Sequence, residues 1–406
     1  MKTLKAVTVA ATRDYQRRDI LRILGGAAVA GAIAPAFNRG RYRLFALAPD
    51  EYSARTIRLV QESPVVDMLC QFAFADMRAG GTPRADLWLQ NPSTFTAEDF
   101  AAFRSSGVKT LALGRGANSY EGMLQFMAQW NGFIASHPEW FIRVDDAADL
   151  ASTRRDGRLG IMITTQNSEH FRTAADVTTF HRLGQRLSQL TYNVQNRIGA
   201  GFLEHNDGGL SIFGHEVVEA MQRVGMTVDL SHCADKTTLD AISAAKKPVV
   251  FTHAAARGLM PGYARCKSDD AIRALARNGG VMGLGFIRFM IRPEAPVTVE
   301  HVVDHIDYTI RLVGAEHVGI GSDLDMAGRG MPIPRAGATP AVADQVNFDR
   351  YKPYYAADGG AHVDGMDHPK RVFDLVEAMV RRRHSDDTIR LVLGGNFIRA
   401  VTASWA

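Results

Sequence analysis

A closed (β/α)₈ barrel is the fold predicted by three features of these 406 residues. Eight short, apolar, β-branched runs recur along the chain, amphipathic stretches separate them, and the length suits one large α/β domain. Hydrophobic residues make up 46% and charged residues 22%, a globular composition without a disordered bias.

The first 36 residues read as an address. Arg17–Arg18, with Ile20–Leu21 beyond, precede the uncharged Ala- and Gly-rich stretch Ile23 to Ala36, and Ala34-Pro35-Ala36 offers a small-residue cleavage site. The apolar run is shorter than the ~20 residues a spanning helix needs. The pair resembles a twin-arginine signal, with Gln16 where Ser usually stands, so export to the periplasm and a mature domain over 37–406 are expected. Six cations and two anions lie in this segment; the formal net charge of +4 therefore resides there, leaving 41 charges of each sign in the remainder. A balanced remainder has no basic face for nucleic acid. Three cysteines (Cys70, Cys233, Cys266) are too few for a disulfide framework and read as buried small hydrophobes, one disulfide staying open.

The predicted strands are 64–67, 108–113, 159–164, 187–192, 226–230, 248–252, 280–285 and 316–321. Several are apolar throughout, as strands buried on both faces are. Helical periodicity marks 120–136, 173–185, 235–245, 268–278, 370–383 and 386–394. It also marks 212–224, with Ile212, Val217, Val218, Met221 and Val224 close to one face, and 300–313, with Val302, Val303, Ile306, Ile310 and Val313. Two stretches, 73–107 and 326–368, break the rhythm and read as long loops, the second rich in Pro, Gly and Tyr. Gly319-Ile-Gly321 and Gly283-Leu-Gly285 lack the spacing and lysine of phosphate loops and read as tight packing points.

Chemistry in a barrel gathers where strands end. There stand Ser231-His232, His253, Asp323, Gln166-Asn167, Tyr192-Asn193, and Asp67, Cys70 and Gln71. Two histidines ending successive strands, facing a carboxylate from the eighth, suit a divalent metal: neutral imidazole supplies nitrogen, and the acid ligates or takes a proton from water.

In order and spacing, Leu190-Thr-Tyr-Asn193, Val228-Asp-Leu-Ser-His-Cys233, Pro248-Val-Val-Phe-Thr-His253, His317-Val-Gly-Ile-Gly-Ser-Asp323 and Leu393-Gly-Gly-Asn-Phe-Ile-Arg399 resemble the landmarks of the membrane dipeptidase (renal dipeptidase-like) family, from about residue 60 to the end. The resemblance implies a metal-dependent hydrolase barrel with two zinc ions that cleaves dipeptides. By position, His232 and His253 match the histidines of the second metal, Asp323 the acid that handles the proton, and Arg265 the arginine that holds the substrate carboxylate. The first-metal positions are replaced: Leu69 and Gln71 stand for a histidine and an aspartate, Gln166 for the bridging glutamate, and Tyr192 for the histidine that polarises the scissile carbonyl. The expectation is one zinc on His232 and His253, with Asp323 as a third ligand, Gln166 as a weak one and Tyr192 as a hydrogen-bond donor. The expected substrate is a dipeptide or small amide with a free carboxylate; a homodimer stays open. The alternative is a metal-poor relative without zinc or peptidase activity that binds a small carboxylate ligand or assists maturation of a secreted product.

Overall fold

The computed structural model describes residues 52–72, 84–114, 116–326 and 361–406, together with the two-residue strand Arg41–Tyr42. The proposed address lies outside them, as do 73–83 and 327–360 of the two long loops. The chain divides into residues 1–55 and 56–406. In the smaller unit Arg41–Tyr42 pairs antiparallel with Tyr52–Ser53.

The larger unit is built on eight parallel strands: β1 (Val66–Cys70), β2 (Thr110–Leu113), β3 (Leu159–Thr165), β4 (Gln185–Gln189), β5 (Thr227–Asp229), β6 (Val250–Ala254), β7 (Val281–Leu284) and β8 (Val318–Ile320). Each pairs with the next in chain order. The β8 and β1 ends then meet: the Asp323 N–H donates to the Leu69 carbonyl at 2.9 Å and the Gln71 N–H to that of Leu324 at 3.0 Å. All eight strands fall where the sequence places them, within a few residues. A further strand, Phe141–Arg143, pairs along β3 outside this order.

Helices fill the connections: α1 (Arg84–Gln90), α2 (Ala97–Ser105), α3 (Tyr120–Ser136), α4 (Ala147–Arg155), α5 (Ala174–Leu183), α6 (Ile212–Val224), α7 (Asp235–Ala244), α8 (Asp269–Arg277), α9 (Val299–Val313), α10 (Arg371–Arg381), α11 (Asp386–Arg390) and α12 (Asn396–Trp405). In α6, Ser211 caps the Gly214 N–H and Gly225, at φ +78°, ends the helix. Val217, Val218 and Met221 are buried as expected, but Ile212, in the uncovered first turn, is 84% exposed. The stretch read as 386–394 instead ends at Arg390, passes through a wider turn at Leu391–Gly395 and resumes as α12. Phe397, Ala400 and Val401 of α12 pack with Val66, Val250 and Val281 at the strand starts, closing that end of the barrel and leaving the strand C-termini for chemistry.

The excursion after β1 is more ordered than the sequence suggests. Within 73–107, α1 and α2 are helical, and Thr96 and Asp99 form a capping box. Phe72 stacks on Phe103 at 4.4 Å between ring centroids and meets Trp88 edge-on at 5.9 Å. Burial of these aromatic rings holds two helices too short to stand alone.

The Gly-x-Gly runs do pack tightly. A Cβ on Gly283 or Gly321 would run into the Thr252 carbonyl, and one on Gly319 would lie 2.6 Å from Met68 Sδ. Gly321→Ala is therefore expected to destabilise the barrel by about 1–3 kcal/mol, seen as a lower urea midpoint with unchanged slope. An unchanged midpoint would show that this strand shifts freely. Among the described residues no helix is long and apolar enough to cross a membrane, and all three cysteines are free and buried.

Candidate active site

The ends of β5 and β6 are knotted by one buried carboxylate. Asp229 Oδ1 accepts from the Ser231 N–H (3.0 Å), the Ser231 hydroxyl (2.6 Å) and the Thr252 N–H (3.0 Å), while Oδ2 accepts from the Thr252 hydroxyl at 2.6 Å. That engages the one hydroxyl proton of Thr252, so at 2.8 Å its oxygen accepts from His253 Nδ1–H. Across the gap, His232 Nδ1 donates to Asn193 Oδ1 at 2.8 Å. With both protons assigned to Nδ1, the two Nε2 lone pairs face each other at 2.9 Å, an arrangement that needs a bridging proton or cation. Both imidazoles are held well below the usual histidine range, first by burial and then by the charge of Arg265, so they are neutral donors near pH 7.

Arg265 is 3% exposed. It donates from Nη1 to the Ser231 carbonyl and from Nη2 to that of His253, each at 2.8 Å. One N–H of each Nη thus locks the histidine-bearing strand ends instead of facing outward as a free carboxylate fork. Its charge still reaches the eighth strand: Asp323, raised by burial to about 7, is drawn back down by Arg265 and by the Gln71 carboxamide, and up by Asp67. Asp323 sits at φ +56°, a left-handed conformation uncommon for a side-chain-bearing residue and one that collects at functional sites.

Beside these groups lies a cleft of about 220 Å³, lined by Gln71, Gln166, Tyr192 and Asp323 together with Asn118, Thr165, Asn167 and glycines 114 and 116. The Tyr192 ring stacks on His232 at 4.4 Å, joining the cleft to the imidazole pair. Gln71 Nε2 donates to the Gly114 carbonyl at 3.2 Å, and a Cβ on Gly114 would displace that amide. Gln189 Nε2 fixes the Gln166 carbonyl at 2.7 Å. Leu69 is buried and offers only its backbone.

Four of the predicted residues, Gln71, Gln166, Tyr192 and Asp323, thus share one cleft, and His232 and His253 form a pair joined to it through Tyr192. Among the described residues no group of three or more His, Cys, Asp or Glu side chains is placed to hold a metal ion. The donor set does not fit a two-zinc centre. Leu69 has no donor atom to give, and Gln71 and Gln166 bring no charge to balance a second cation. Two convergent, neutral Nε2 atoms with fixed tautomers would offer one divalent ion two of the three protein ligands that a mononuclear site uses. Sequence reasoning missed Asp229, Thr252 and the Asn118 lip. The first two lie inside the quoted landmarks, and the third follows β2, whose end was not read for polar residues.

Comparison with known proteins agrees with this architecture. An uncharacterised dipeptidase of Schizosaccharomyces pombe is 35% identical over 188 residues, 45% of this chain and 44% of the relative. Dipeptidase tcpJ of Claviceps purpurea is 28% identical over 262 residues, 63% of this chain and 53% of the relative. The chain therefore spans about half the length of these relatives. A crystal structure of an amidohydrolase from Pseudomonas aeruginosa superposes with a TM-score of 0.70 at 25% identity, covering 86% of this chain and 99% of that one. Residues 54–333 match the model of the membrane dipeptidase family, peptidase family M19, and the chain belongs to that family.

Proposed function

We propose that the chain is a dipeptidase-like amide hydrolase acting on a small amide with a free carboxylate, using at most one divalent ion. The observation that carries this reading is the half-buried Asp323 carboxyl, its pKa pushed up to about 7, in a cleft joined to the imidazole pair. A carboxyl of that pKa can take a proton from attacking water and return it to a leaving amine near neutral pH. Tyr192 supplies a hydroxyl for the substrate carbonyl oxygen, and the Arg265 charge favours a ligand carrying a carboxylate. His232 and His253 would hold a zinc ion, which would supply Lewis acidity when bound. The dipeptidase names of the relatives support the reaction class, and the Arg17–Arg18 pair supports action after export to the periplasm.

Elemental analysis of the purified chain is expected to give about one equivalent of zinc, lost in His232→Ala and in His253→Ala. Two equivalents would overturn the reading of Leu69, Gln71 and Gln166. Hydrolysis should be screened on dipeptides and other small amides with zinc added; activity untouched by both histidine substitutions would sink the assignment. The altered first half of the site favours a second reading, a metal-poor relative that only binds a small carboxylate ligand. Turnover abolished by Asp323→Ala would remove it.

A further inference from the structure

Asp323 stands between two tied neighbours, and both ties lead back to one arginine on α10. The Ser322 N–H donates to Asp67 Oδ1 at 2.7 Å, and the Ser322 hydroxyl donates to Asp67 Oδ2 at 2.6 Å. A serine hydroxyl has one proton and two lone pairs. With the proton given to Asp67, Ser322 Oγ accepts from the Leu324 N–H at 3.3 Å and from Arg371 Nη2 at 3.1 Å. The residues before and after Asp323 thus share one oxygen, while the Asp323 N–H reaches the Leu69 carbonyl at 2.9 Å across the meeting of β8 and β1. These bonds bracket the φ of +56° at Asp323. A residue with a side chain keeps such a conformation only where its surroundings over-determine it.

Arg371 opens α10 and is 1% exposed. The same Nη2 lies 3.5 Å from Asp67 Oδ2 and 3.8 Å from Cys70 Sγ. A carboxylate as buried as Asp67 needs a counter-charge to stay ionised, and only the ionised form offers both oxygens as acceptors. Burial pushes the Asp67 carboxyl up, and Arg371 is the charge that draws it back down. Among the described residues Arg371 Nε and Nη1 have no hydrogen-bond partner, so the work of this guanidinium falls on Ser322 and Asp67. Arg371 does not line the cleft, and any effect there passes through those two residues.

We propose that Arg371 is a positioning residue for Asp323: by clamping Ser322 and Asp67 it fixes the turn that holds the Asp323 carboxyl at the cleft wall. Its effect on rate rests on the hydrolytic reading above; its effect on the Asp323 backbone does not.

The test is a double-mutant cycle with Asp323→Asn, on the full chain with zinc added and alanyl-alanine as substrate. Arg371→Met is expected to lower kcat at least about tenfold with KM kept within about threefold, because a misplaced reacting group slows the chemical step. Arg371→Lys, which keeps the charge, should recover part of that loss. In the Asp323→Asn background the Met change should alter kcat by less than about threefold, since no carboxyl is left to misplace. A merely structural arginine would cost the same factor in both backgrounds. Equal losses, or a kcat within about threefold of normal in Arg371→Met, overturn the proposal. If the unaltered chain does not cleave alanyl-alanine, the crystal structure of Arg371→Met decides. Residue 323 turned out of the left-handed region upholds the proposal; a φ still near +56°, with its N–H on the Leu69 carbonyl, overturns it. If Arg371→Met does not fold, Ser322→Ala, which removes the oxygen shared by Arg371 and Leu324, takes its place in both experiments.

Discussion

Asp323→Asn is expected to lower kcat by about 10²–10⁴-fold while making the metal-free protein more stable at pH 8. The exchange keeps the backbone, because asparagine tolerates the left-handed φ of +56° at this strand end. What changes is the proton. Burial raises the carboxyl from 3.8 to about 7, with Arg265 and Gln71 opposing and Asp67 adding to the rise. The folded chain therefore keeps this proton over a range of pH where the unfolded chain has released it. Stability is fully present below about pH 4 and is lost as pH rises to 7, and the ionised form costs up to about 4 kcal/mol above that. The amide has no such cost. Activity runs the other way, since only the ionised carboxyl takes a proton from water, so kcat should rise with pH through about 7. Urea midpoints at pH 5 and pH 8, with a pH–kcat profile, test both halves. A variant that keeps its activity within about threefold, or retains the limb near pH 7, would show that the proton is handled elsewhere. Asp323→Ala should lose activity equally yet gain less stability, because alanine is strained at positive φ.

The barrel is legible because its strands are short apolar runs whose spacing leaves room for one helix each. What escaped the reading has local causes. In α4, Ala147–Arg155, the buried Leu150 and Thr153 give too faint a stripe to register as a helical face. Before α12 stand Gly394 and Gly395, a pair that reads as a terminator. Their role is spatial: a Cβ on Gly394 would strike the Pro64 carbonyl, and Asn396 then ties the turn to the carbonyls of Ala315 and Val318 at 2.7 and 2.8 Å. At the site, residue type and strand-end position made His232, His253 and Asp323 visible. The partners of those residues were not. Asp229 and Thr252 meet only because β5 and β6 are neighbours, and no periodicity marks a hydroxyl that fixes a tautomer. The same holds for Arg265: its charge is readable in the sequence, but which carbonyls its N–H groups face is decided by the fold.

Asp229 should therefore separate fold from metal binding. Asp229→Ala leaves the N–H and hydroxyl donors of Ser231 and Thr252 without the acceptor that now holds them at 2.6–3.0 Å. In a fully buried place that is expected to cost about 3–5 kcal/mol, read as a lower urea midpoint. Asp229→Asn is the more telling change. With its oxygen toward Ser231 and the Thr252 N–H, its amide nitrogen faces the Thr252 hydroxyl and donates to it. The hydroxyl proton then has two acceptors, Ser231 Oγ at 3.1 Å and His253 Nδ1 at 2.8 Å. Turned to His253, it sends that ring's hydrogen to Nε2, and the lone pair that faces His232 across 2.9 Å is lost. Zinc affinity should fall about 10–100-fold while unfolding stays cooperative, as expected when the partner that fixes a ligand's tautomer is altered. Zinc retained after dialysis, measured beside the unfolding curve, distinguishes the two effects. Normal zinc content in Asp229→Asn would mean that the Thr252 proton turns to Ser231 instead and that His253 keeps its hydrogen on Nδ1 without this carboxylate.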